Sequence, residues 1–294
     1  GGSRGIGYEI SKIFLEEGAS VLAVSRDEAK LAGAKASLPE LATLAADVSV
    51  AAAADHIASW VRGEWGSLDI LVNNAGIWFG AEPDLTTGPD EQFLAMLTVN
   101  VAGAYLCTKR LLPLLLAGDD PRIVNVGSTS GVLSPNTRSA YGVSKAGLHA
   151  LTIATANELR GRVAVNALSP GWVRTDMAPD GPGDPRWSAE GALAIVTRLS
   201  SVTGKLFLNE AVVRLVGVEA ADHVVPIVPG VVSQSVIFEA LALGIASYVQ
   251  PVAPPMLAVA GRCQELLDQV GIGLGVLVFD EGLHLGGGRR QAQE

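Results

Sequence analysis

The chain is short of charge. Only 17% of its 294 residues are Asp, Glu, Lys or Arg, against about 25% in an ordinary soluble domain. With 49% hydrophobic residues, that balance excludes a mainly disordered chain. Cations are the scarcer sign: 21 Lys and Arg stand against 30 Asp and Glu, a formal charge of −9. A surface that grips nucleic acid needs clustered cations to release counterions, so nucleic acid is excluded as the expected partner. Cysteine is almost missing. Cys107 and Cys263 lie far apart with no Cys-x-x-Cys between them, which argues against a disulfide framework or a zinc site and fits a reducing, cytoplasmic compartment. His223, Glu239 and His284 are scattered singly, so no metal site is expected. One further feature is lacking. The chain opens on Gly1-Gly2-Ser3-Arg4-Gly5-Ile6-Gly7, a glycine loop of the kind that follows a buried strand, with no such strand ahead of it.

What is present alternates. Apolar, strand-like runs at 20–24, 41–46, 68–72, 122–126 and 163–168 are separated by segments of helical period at 5–17, 27 onward, 50–62, 93–116 and 140–159. This is the pattern of βαβ units and a parallel sheet covered on both faces. The run 68–72 reads as a strand buried on both sides. A Gly- and Pro-rich stretch at 178–185 reads as a loop over a site. Beyond residue 208 the character changes. Residues 240–261 carry no charge, a length sufficient to span a bilayer, but Pro251, Pro254 and Pro255 break it. We therefore expect two buried helices, at 233–248 and 256–270, rather than a membrane segment. A strand is expected at 275–279.

Several residues carry chemistry. Gly1, Gly5 and Gly7 permit a tight turn, and the helix after them offers unpaired N–H groups to a phosphate. Asn73-Asn74-Ala75-Gly76 ends a buried strand, at the edge where parallel sheets bind ligands. Ser128 follows another strand, and Tyr141 and Lys145, four apart, share one helix face. Singly, each has a plain alternative: a glycine turn, a decorated helix surface, a turn serine, or a helix cap for Asn100. Together and in this order, with Pro170-Gly171, they resemble the short-chain dehydrogenase/reductase family, in its carbonyl-reductase-like form, over residues 1–208.

That resemblance implies an α/β, Rossmann-type doubly wound parallel sheet with its first strand missing, followed by an unassigned region at 209–294. It also implies an oxidoreductase that interconverts a carbonyl and a secondary alcohol with NADP(H) or NAD(H). Ser128, Tyr141 and Lys145 become the catalytic triad and Asn100 its fourth member, holding a water in a proton relay. A free tyrosine has a pKa of about 10, so a neighbouring ammonium is needed to favour the phenolate. The cofactor would lie against Gly1, Ser3, Arg4, Gly5, Ile6 and Gly7, against Asn74, Ala75 and Gly76, and against Asp47-Val48 at the adenine. Tyr141, Lys145, Pro170, Gly171, Val173 and Thr175 would hold its nicotinamide end.

The end of the second family strand carries Ser25 and Arg26 in place of an acid, and Arg4 sits in the glycine loop. Two guanidinium groups favour a 2′-phosphate, hence NADP(H). Asp27 is read as a helix cap, although it is the one acid that would favour NAD. Residues 176–187 would form a substrate lid, with Trp78, Phe79, Leu133 and Trp172 lining an apolar pocket for a small carbonyl or alcohol. A homo-oligomer stays open.

Two rival classes remain. One is a weakly active or inactive dinucleotide-binding scaffold, because loss of the central first strand should leave its neighbours unpaired, with poor stability and weak cofactor binding. An alternative is that 275–279 fills that slot. The other rival, an epimerase or dehydratase on nucleotide sugars, is disfavoured by the glycine spacing and by Asn73-Asn74-Ala75-Gly76.

Overall fold

The computed structural model describes residues 1–80, 87–133, 139–199, 202–209 and 225–226; all belong to one compact unit, Gly1–Val232. Helices and strands alternate as the periodicity predicts. Helix α1 (Gly5–Glu16) is followed by β1 (Leu22–Ser25), α2 (Glu28–Ser37), β2 (Ala42–Ala45), α3 (Ala51–Glu64) and β3 (Ile70–Asn73). Next come α4 (Asp90–Leu97), a π-helical turn (Thr98–Ala102), α5 (Gly103–Leu115), β4 (Arg122–Val126), α6 (Ser130–Leu133) and α7 (Ser139–Glu158). β5 (Ala164–Ser169), α8 (Pro185–Thr197), β6 (Lys205–Leu208) and the short β7 (Val225–Pro226) complete the order. The expected helices and strand at 233–248, 256–270 and 275–279 lie outside the described residues. No helix among the described residues is long and apolar enough to cross a membrane.

Strands β3, β4, β5 and β6 form a parallel sheet in that order, and β7 joins its edge antiparallel. One face is covered by α1 and α8, where Ile10, Ile13 and Phe14 pack with Val124, Leu168, Ile195 and Phe207. On the opposite face Ile57 and Val61 meet Cys107 and Leu111, while Leu115, Ala156 and Leu159 close over Ile123 and Val165. Strand β4 is therefore buried along its whole length.

Strands β1 and β2 pair parallel with each other but form a separate two-stranded sheet. Between β1 and β3 lies a space of about 720 Å³, bounded by Val21, Leu22 and Val24 on one edge and Ile70, Leu71 and Val72 on the other. Ile10 and Phe14 of α1 and Ile57 and Val61 of α3 also border it. At its upper end Gly2 N–H donates to Val24 O at 3.2 Å, and Asn74 Nδ2 donates to Gly1 O at 2.8 Å. Residues 1 and 2 thus bridge β1 and β3 where a central strand would finish. This space corrects one expectation. Strand β3, read as buried on both sides, is only half-buried throughout, because its outer edge faces the gap.

Candidate active site

The C-terminal ends of β3, β4 and β5 put Asn73, Val126 and Ser169 at one edge of the parallel sheet, the position where such sheets bind ligands. The glycine loop faces this edge. Gly5 opens α1 with φ +53°, a conformation that strains any other side chain. A Cβ on Gly7 would fall 1.8 Å from Gly1 O, so the loop closes on itself only with glycine there. Arg4 occupies the N-cap of α1 without a side-chain capping bond, and the first turn holds no acid. The positive end of the helix is left for an anion.

Around this loop is a pocket of about 220 Å³, lined by Gly1, Ser3, Arg4, Gly5, Ile6, Arg26, Asp47, Val48, Asn74, Ala75 and Gly76. Tyr141, Lys145, Pro170 and Thr175 line it from the other side. Five expected site residues stand outside that lining: Gly7, Asn100, Ser128, Gly171 and Val173. Gly7 packs beneath the loop, and Gly171, at φ +80°, turns the chain after Pro170. Val173 is buried and bridges Gly183 through its backbone.

Both arginines at the pocket are engaged in exposed ion pairs. Arg4 Nη1 meets Asp176 at 2.6 Å, and Arg26 Nη1 meets Asp47 at 3.5 Å. Such pairs contribute little to stability and exchange readily for a better anion. Asp47 is not a helix cap; its Oδ1 accepts from the Ser49 N–H and hydroxyl. Asp27 does cap α2, accepting from Lys30 N–H at 3.0 Å.

Helix α7 carries the expected tyrosine and lysine. Tyr141, Lys145 and His149 recur every four residues and share one face with Thr152. Lys145 is 4% exposed, and its ammonium donates to Val126 O at 2.8 Å. Burial lowers its pKa to about 8. The same Nζ lies 5.7 Å from the centre of the Tyr141 ring. Ser128 stands just past β4, its Oγ accepting from Ser130 N–H at 3.1 Å.

Asn100 sits in the π-helical turn between α4 and α5, buried to 1% exposure. Its carboxamide clamps Ile77, accepting from the N–H at 2.7 Å and donating to the carbonyl at 3.0 Å. It also donates to Ser144 Oγ at 3.0 Å, and Ser144 in turn donates to Tyr141 O at 2.8 Å. Asn100 is therefore no helix cap: it ties the Asn73–Gly76 strand end to the tyrosine helix. Gly76 itself lies beside Asn100 Oδ1 and Lys145 Nζ, with room for an ordinary contact to each.

Residues 176–187 are not all loop. Bridges Val173 to Gly183 and Thr175 to Ala178 fold the segment back, and Asp184 caps α8, so Pro185, Arg186 and Trp187 are helical. Proline at the first helical position explains the early start. Trp78 stacks toward Tyr141, with ring centres 6.1 Å apart, while Phe79 and Trp172 are about half-exposed; the Leu133 side chain lies outside the described residues. Sequence reasoning missed Ser144, His149 and Asp176. The first two had a signal, since both lie on the Tyr141–Lys145 face of a helix otherwise rich in Ala, Gly and Leu.

Comparison with known proteins bears on this geometry directly: residues 1–183 match the short chain dehydrogenase family. The chain belongs to that family. Over 195 residues it is 36% identical to a rhamnolipid-biosynthesis 3-oxoacyl-[acyl-carrier-protein] reductase of Pseudomonas aeruginosa, covering 63% of this chain and 75% of that protein. Carbonyl reductase family member 4 of Xenopus laevis is 32% identical over 184 residues, covering 61% and 76%. Among solved structures, an actinorhodin polyketide ketoreductase variant with NADPH matches with TM-score 0.66 and 28% identity, over 71% of this chain and 92% of that one. This short chain dehydrogenase has the α/β parallel-sheet fold of the family, whose members are NAD(P)-dependent oxidoreductases.

Proposed function

We propose that this chain is an NADP(H)-dependent oxidoreductase that interconverts a small-molecule carbonyl and the corresponding secondary alcohol, with Tyr141 as general acid and base. The observation that carries this reading is the buried Lys145 ammonium, held by Val126 O and set 5.7 Å from the Tyr141 ring. The catalytic region is taken as 1–208, with 209–294 a separate region of unassigned role. A cytoplasmic setting accords with the two sparse, widely separated cysteines.

The residues present suit a dinucleotide. The glycine cradle and the uncapped end of α1 suit a pyrophosphate. Arg4 and Arg26 suit a 2′-phosphate, which gives the preference for NADP(H) over NAD(H). Asp47 and Val48 are assigned to the adenine side. Pro170, Gly171, Val173 and Thr175 are assigned to the nicotinamide side, near Tyr141 and Lys145. When bound in reduced form, the cofactor supplies the hydride that the carbonyl carbon receives.

The chain's own groups handle the oxygen. Tyr141 gives its proton to the carbonyl oxygen, and the negative charge that develops on the phenol is stabilised by the Lys145 ammonium. Ser128 Oγ donates a hydrogen bond to the same oxygen. Asn100 holds the frame through Ile77 and Ser144, and the second lone pair of its Oδ1 is the place for a relay water. In alcohol oxidation each proton step reverses. The names of the relatives, a 3-oxoacyl reductase and a carbonyl reductase, agree with a carbonyl substrate.

Tyr141→Phe is expected to lower kcat with NADPH and a reducible ketone by about 10²-fold or more, while the Kd for NADPH, read by fluorescence, changes little. Full turnover in that variant contradicts the mechanism. Arg26→Asp is expected to move the NADPH/NADH ratio of kcat/KM by about tenfold toward NADH. An unchanged ratio removes Arg26 from the 2′-phosphate site.

A further inference from the structure

Helix α7 presents a polar row of Tyr141, Lys145, His149 and Thr152, and the mechanism uses only the first two. Thr152 is accounted for by Asn125 Nδ2, which donates to it at 2.9 Å, and by Leu148 O, which accepts from it at 2.8 Å. His149 is unexplained. It is 2% exposed and its ring lies against the loop that carries Ser128. A Cβ on Gly127 would fall 2.4 Å from its Nε2, and one on Gly131 would fall 2.9 Å from its Cε1. The loop therefore wraps the imidazole closely on two sides, and both glycines are needed for it to do so.

Every backbone N–H from 127 to 131 has its own acceptor. Gly127 donates to Leu168 O at 2.7 Å, Thr129 to Ser169 Oγ at 3.0 Å, Ser130 to Ser128 Oγ at 3.1 Å and Gly131 to Ser128 O at 3.1 Å. The amide of Ser128 itself donates to His149 Nε2, at 3.4 Å. An accepting Nε2 requires that the ring hydrogen sit on Nδ1 and that the ring be neutral. Burial first, and then the charge of Lys145, lower the His149 pKa to about 4, so the neutral form prevails near pH 7. Nδ1 has no hydrogen-bond partner among the described residues. A leucine would fill this place without burying an unsatisfied nitrogen, which destabilises a core. The imidazole is therefore explained by its one bond, to the serine amide.

We propose that His149 is a positioning residue for carbonyl reduction: its neutral ring, accepting at Nε2, fixes the Ser128 amide and thereby sets Ser128 Oγ against the substrate oxygen. The proposal rests on the reading of Ser128, Tyr141 and Lys145 as the reactive site. It differs from a packing role in what it requires of a replacement, because shape alone does not satisfy the serine amide and an acceptor atom does.

The test compares His149→Leu and His149→Gln with the unaltered protein and with Tyr141→Phe, using NADPH and a reducible ketone. His149→Leu is expected to lose about tenfold in kcat with KM for the ketone and Kd for NADPH nearly unchanged, and His149→Gln, which keeps an acceptor oxygen, to recover most of that loss. ¹⁵N NMR of the unaltered protein at neutral pH, assigned by the signal missing from His149→Gln, is expected to show a protonated Nδ1 and a bare Nε2. Wild-type kcat in His149→Leu, or equal losses in the two variants, overturns the proposal. So does a ring protonated at Nε2, a result that does not depend on whether His149→Leu folds. Tyr141→Phe separates the two levels. If it is inactive while His149→Leu is unimpaired, only the positioning role falls; if it turns over normally, the catalytic reading falls and the proposal with it.

Discussion

An ammonium buried as deeply as that of Lys145 must find an oxygen or give up its proton. The oxygen it finds is Val126 O, the last carbonyl of β4, and that contact ties helix α7 to the centre of the sheet. Much of the site follows from it. Tyr141 lies one turn earlier on the same helix, Ser144 beside Lys145 meets Asn100, and Asn100 grips Ile77 beyond the end of β3. Strand β4, helix α7, the π-helical turn and the segment after β3 are thus joined by hydrogen bonds of Lys145, its neighbour Ser144 and Asn100. The sheet supplies the rigidity for this arrangement, because β4 is buried along its whole length and paired on both sides.

The other half of the site is built differently. The glycine loop depends on backbone approach rather than on side-chain bonds, and its first residues bridge β1 and β3 across an open space. Tyr141 and Lys145 thus lie at the edge of the continuous β3–β6 sheet, while the glycine loop lies beside the space between β1 and β3. Arg4 and Arg26, at the mouth of this half, are held by exposed carboxylates and not by the core.

Local patterns made much of this legible in the sequence. Strand β4 and the long helix α7 follow from apolar runs and a four-residue spacing, and Asp27 was recognisable as a cap from its place before a helical segment. Other features depended on partners distant in sequence. The half-burial of β3 reflects a neighbour that its own residues cannot report. The π-helical turn at Asn100 interrupts a segment whose apolar period looks continuous, and an internal bulge of that kind leaves little trace in periodicity. Ser144 and His149 are polar residues on a buried face, a conflict with the local pattern that often marks function, but their partners at Asn100 and Ser128 emerge only when α7 meets the π-helical turn and the end of β4. At 185–187 a proline that read as loop instead begins a helix, because Asp184 caps it.

The proposed role of Tyr141 depends on the charge of Lys145, and the pH dependence of kcat/KM for NADPH-driven ketone reduction, from about pH 6 to about pH 10, tests it most directly. Below its pKa the lysine is charged and stabilises the tyrosine as the proton leaves; above it that support is lost. The predicted result is a rate that falls with an apparent pKa near 8, the value to which burial lowers Lys145, together with a Lys145→Met variant that is slow at every pH. A profile that stays level across the alkaline range, or a Lys145→Met variant with the wild-type rate and profile, would contradict it.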